Sequence, residues 1–167
     1  MKRAYRAALL ALLTVTALML SYAEHLLPLP LPVPGLKLGL ANIVTLFVLY
    51  EFSMREAAAL VTVRCVLSAL LFGGLMQLPF SLAGGLLAAL AMAFARKNSR
   101  LTVYGVSIAG ACAHNLGQVL AAMLIMGTAA LISYLLFLWP AAIVTGAGVA
   151  FIYGLAARAL HRAAHRE

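Results

Sequence analysis

An arginine stands in the middle of an apolar run, Val61-Thr62-Val63-Arg64-Cys65-Val66-Leu67. Placing a guanidinium in hydrocarbon costs at least about 2.5 kcal/mol unless it meets a cavity, a partner or an anionic ligand. Arg64 therefore reads either as a ligand-binding cation or as a structural arginine that snorkels or pairs with a carboxylate such as Glu24. A second group is His114-Asn115-Leu116-Gly117-Gln118, where His114 and Gln118 share one helix face and Asn115 lies beside it. Three hydrogen-bonding side chains in one turn need partners inside a bundle. Those partners are a ligand or a neighbouring helix, which Gly110, Ala113 and Gly117 would let come close. The third group is Gly35-Leu36-Lys37-Leu38-Gly39-Leu40-Ala41-Asn42, in which Lys37 either anchors at head groups or faces the same ligand as Asn42. Together Lys37, Asn42, Arg64, His114, Asn115 and Gln118 are cationic and hydrogen-bonding against a background of Leu, Ala and Met. Such a set suits a small amphiphile with an apolar body and an anionic or polar head.

Other chemistry is excluded by residue type. The only acids are Glu24, Glu51, Glu56 and Glu167, and there is no Asp with which to build a paired acidic magnesium site. No lysine completes a phosphate-binding P-loop, and no nucleophile–histidine–acid set is present. Cys65 and Cys112 are isolated in apolar runs, which argues against a disulfide or a zinc site. The chain is thus expected to be non-catalytic, with no metal and no cofactor.

The elements that carry these residues must span a bilayer. Of 167 residues, 65% are hydrophobic and 10% charged, too little charge to cover a soluble domain. The net charge of +8 lies in short clusters between apolar runs, which rejects a nucleic-acid partner. A spanning helix takes about 20 apolar residues. On that measure the chain is an all-α integral membrane protein, a single transmembrane domain over residues 1–167 with helices at about 7–27, 38–52, 55–72, 79–95, 101–126 and 131–157. A basic tail over 158–167 is expected after the last of them. Alternate prolines make 28–35 a stiff, extended loop. The first run is too long for a cleaved signal peptide and is read as retained. Six crossings put Lys2, Arg3, Arg6, Arg55, Arg96, Lys97, Arg100, Arg158, Arg162 and Arg166 on one side, against Lys37 alone on the other. Both termini are then expected in the cytoplasm.

Three segments resemble the Gx transporter family, whose members are often described as heptaprenyl diphosphate synthase component I. They are Pro-Gly-Leu-Lys-Leu-Gly-Leu-Ala-Asn ending at Asn42, Phe-Ser-Leu-Ala-Gly-Gly ending at Gly85, and His-Asn-Leu-Gly-Gln ending at Gln118. The resemblance implies a six-helix bundle in the bacterial plasma membrane, similar to the substrate-binding S components of energy-coupling-factor transporters. Such a component works with a coupling transmembrane subunit and ATPases. The family description implies another partner, a soluble prenyl synthase subunit of isoprenoid and menaquinone synthesis. No catalytic residue carries over from either.

Overall fold

The computed structural model describes residues 3–26, 37 and 39–164, with 159–164 by backbone alone. The extended loop expected over 28–35, and the charges of Lys2, Arg162 and Arg166, lie outside what is described. Apolar runs become helices here because in hydrocarbon every backbone polar group must be satisfied within its own segment. The order is α1 (Arg3–Leu26), α2 (Asn42–Glu51), α3 (Met54–Ser68), α4 (Leu78–Arg96), α5 (Val103–Met126) and α6 (Leu135–Ala164). A π-helical turn, Ala69–Gly73, extends α3, and short 3-10 turns, Leu75–Gln77 and Ala129–Tyr134, lead into α4 and α6. Among the described residues there is no strand. Five helical segments are long and apolar enough to cross a membrane, and the chain is a multi-pass membrane protein.

Two boundaries differ from the sequence expectation. The second helix starts at Asn42 and not at 38, because Gly39 adopts φ +85° and closes a turn in which its carbonyl accepts from the Asn42 N–H at 2.9 Å. The basic segment expected from 158 starts as helix: α6 runs on to Ala164, through a stretch of Ala, Arg, Leu and His that holds no glycine or proline. Pro79 stands at the start of α4, where its missing N–H has no helical partner to lose.

Cross-links between helices give the topology. Arg6 donates through Nε and Nη2 to the two carboxylate oxygens of Glu56 at 2.7 and 2.8 Å, so α1 and α3 begin at the same end. Arg96, at the end of α4, reaches the Leu49 carbonyl and lies over the Tyr50 ring, which brings the end of α2 there too. Tyr153 of α6 packs on Phe47 and Tyr50. At the far end of α1, Glu24 meets Gly39 and Leu40 just before α2. The ten residues of α2 rise only about 15 Å, yet they return the chain because α2 starts level with Glu24, inside the bundle. The helices alternate in direction, and Arg3, Arg6, Arg55, Arg96, Lys97, Arg100 and Arg158 gather at one end.

Glycines set the tightest approaches. A Cβ at Gly117 would lie 2.6 Å from the Ala83 carbonyl oxygen, and one at Gly146 would lie 2.8 Å from the Ile108 Cα. Lipid supplies no hydrophobic drive between helices, so this closeness is what holds α4 to α5 and α5 to α6. The bundle interior holds two apolar clusters. One, toward the basic end, contains Leu46, Val48, Leu60, Met92, Val106 and Tyr153. The other contains Phe80, Val119, Ala122, Leu135 and Leu138. A polar layer lies between them.

Candidate binding site inside the bundle

Arg64 sits in that layer, 3% exposed. Its Nη1 donates to the Ser21 hydroxyl of α1 at 2.8 Å. Nε and Nη2 have no hydrogen-bond partner among the described residues. A Cβ at Gly85 of α4 would stand 3.1 Å from Nη2, so a glycine makes the room that this edge of the guanidinium uses.

Glu24 does not complete an ion pair with Arg64; among the described residues the only salt bridge joins Arg6 and Glu56. Its Oε1 instead accepts from the Gly39 and Leu40 N–H groups at 2.6 and 2.8 Å, tying the start of α2 to α1. Lys37 is buried, and its side chain lies near enough to Glu24 and Arg64 for all three charges to act on one another. At their ordinary charges, two cations and one carboxylate give this layer one positive charge in excess.

On α5, Gln118 links two elements. Its Oε1 accepts from the Lys37 main-chain N–H at 3.1 Å, which fixes the amide orientation and makes Nε2 the donor. That Nε2 meets His114 Nε2 at 2.7 Å, so His114 accepts there and carries its proton on Nδ1. Nδ1 has no hydrogen-bond partner among the described residues. Asn42 is buried, and among the described residues neither of its amide atoms nor the Thr45 hydroxyl one turn on has a hydrogen-bond partner. Positions Gly39 and Gly84 let the backbones close around this group: a Cβ at Gly39 would be 2.8 Å from Asn42 Nδ2 and 3.1 Å from His114 Cδ2.

The structure thus brings together Lys37, Asn42, Arg64, His114 and Gln118. Asn115 departs from them. Its Nδ2 donates to the Leu138 carbonyl at 3.0 Å, so it joins α5 to α6, the role of a link between helices. One residue along a helix turns the side chain by about 100°, which separates it from its neighbour His114. Reasoning from sequence missed Ser21 and Thr45. A lone hydroxyl in an apolar helix usually satisfies itself on the preceding turn, as Thr14 does on the Leu10 carbonyl, so its type carries no signal. Gly84 and Gly85 were visible only as part of a familiar segment.

Among the described residues this layer holds unpartnered donors and more cations than carboxylates, an arrangement that could accept an oxyanion. Among the described residues no group of His, Cys, Asp and Glu is arranged to hold a metal. The family model described as heptaprenyl diphosphate synthase component I matches residues 13–160, and the chain belongs to that family. No curated protein and no solved structure matches it.

Proposed function

We propose that this member of the heptaprenyl diphosphate synthase component I family is a non-catalytic binding component. It takes up a small amphiphile whose oxyanion head rests on the free edge of Arg64. One observation carries the reading: Nε and Nη2, the pair that grips a carboxylate or phosphate side-on through two parallel bonds, are buried and have no partner among the described residues. Lys37 adds the second charge, Asn42, His114 and Gln118 orient the head, and the surrounding apolar side chains take the body.

The gathering of basic residues at one end supports cytoplasmic termini. Lys37 and Arg64 then lie toward the outer face, and ligand would be captured from outside. Release inward would need a coupling subunit with ATPases, since this chain has no P-loop. Purification from native membranes, with mass spectrometry of what stays bound, tests the reading. An amphiphilic carboxylate or phosphate retained by the wild type and lost from Arg64→Lys is the expected result. Equal retention by both proteins would remove Arg64 from the site.

A second reading rests on the exposed basic residues Lys97 and Arg100. They would dock a soluble prenyl synthase subunit at the membrane, and the bundle would receive its prenyl diphosphate product, itself an amphiphile with an oxyanion head.

A further inference from the structure

The bundle has another recess, far from Arg64, where α6 outruns α5. The Ser107 hydroxyl donates to the Gly146 carbonyl at 2.7 Å, and with the two helices antiparallel this sets Val103, the first residue of α5, level with Ala150. Arg158 stands about 12 Å further along α6. The gap is a groove of about 250 Å³ walled by Val103, Tyr104, Phe151, Tyr153 and Leu155, with Gly154 at its side and Arg158 at its outer lip. A Cβ on Gly154 would meet nothing within 4 Å, so the glycine leaves this space open. Phe151, Leu155, Tyr104 and Arg158 are all exposed. Along α6 the residues at 151, 155 and 158 follow one face, apolar first and cationic last.

We propose that this groove holds one anionic phospholipid, its acyl chain along Phe151 and Leu155 and its phosphate on Arg158. Charge selects this occupant. Arg158 has no hydrogen-bond or ion-pair partner among the described residues, and it belongs to the end that carries Arg55, Arg96, Lys97 and Arg100. The lining agrees, because the groove is walled mainly by apolar side chains, Phe151 and Leu155 among them exposed, and carries the exposed Tyr104, a residue type favoured at the membrane interface. The inference is independent of what binds at Arg64.

The full chain in mixed micelles with equal phosphatidylglycerol and phosphatidylcholine, read by native mass spectrometry, provides the test. We expect one phosphatidylglycerol to be retained in preference to phosphatidylcholine. Arg158→Gln should reduce that retention about fivefold, the worth of one basic residue at an anionic surface. Gly154→Leu, which fills the groove, should abolish it, and Arg100→Gln should leave it unchanged. Equal retention of the two lipids overturns the proposal. So does an equal effect of Arg100→Gln and Arg158→Gln, which would mean a diffuse field in place of a site. Should Gly154→Leu fail to fold, Arg158→Gln decides alone, since it leaves the groove's walls intact.

Discussion

Ser21 accepts a hydrogen bond from Nη1 of Arg64 at 2.8 Å, and the other edge of the same guanidinium has no partner among the described residues. A hydroxyl neutralises no charge, so Ser21 orients Arg64 without satisfying it. The cost of burial remains in the free protein, and the proposed anionic ligand would remove it.

Arg64→Met should therefore stabilise the free protein by about 1–4 kcal/mol, as apolar replacements of buried ionic groups do, while abolishing ligand binding. Arg64→Lys keeps the charge but loses the fork, and should weaken binding by about tenfold or more. Thermal unfolding in detergent and retained ligand are the two readouts. A destabilised Arg64→Met protein would mean that the guanidinium is satisfied by the bundle itself.

Glu24→Gln should loosen the start of α2. The carboxylate accepts from two consecutive backbone N–H groups, and charge-assisted bonds of this kind contribute about 1.5–3 kcal/mol each. Hydrogen exchange at the Gly39 and Leu40 amides should accelerate in the variant while α4 and α5 keep their protection. Unchanged exchange at these two amides would show that Glu24 does not hold the segment.

Gly117→Ala should destabilise by about 1–3 kcal/mol, because the new Cβ would meet the Ala83 carbonyl at 2.6 Å and backbone cannot yield cheaply. Gly148→Ala, where a Cβ meets nothing within 4 Å, should instead gain up to about 1 kcal/mol of helix propensity. Matching unfolding temperatures for the pair would contradict the close α4–α5 approach.

Orientation is read by labelling. With Cys65 and Cys112 replaced by alanine, Asn98→Cys, in the exposed turn after α4, should react with an impermeant maleimide only from the cytoplasmic face. Labelling from outside would reverse the proposed direction of capture.

Charge reversal at Lys97 and Arg100 separates the two functional readings. Lys97→Glu with Arg100→Glu should release a docked synthase subunit and leave binding at Arg64 unaffected. If no soluble synthase copurifies with the wild type, the docking reading falls.

The all-helical, membrane-type architecture was legible in the chain, because a bilayer demands runs of about 20 apolar residues and permits only helices there. The grouping of arginines at one end followed from counting crossings, and Arg64 declared itself by being a charge where none is tolerated. Local rules misplaced two helix limits: the positive φ of Gly39 delays α2 to Asn42, and strong helix formers carry α6 past 157 to Ala164. Tertiary structure alone decided which polar groups meet. Pairing of Arg64 with Glu24 was one alternative open on charge, yet the backbone amides of Gly39 and Leu40 claimed the carboxylate. Asn115 looked like a companion of His114, yet it faces Leu138. Hydrogen-bond partners are set by distances between helices that are remote in sequence, and those distances are set by glycines such as Gly84, Gly85 and Gly117. Residue type shows which groups need a partner; only packing shows which ones are left without.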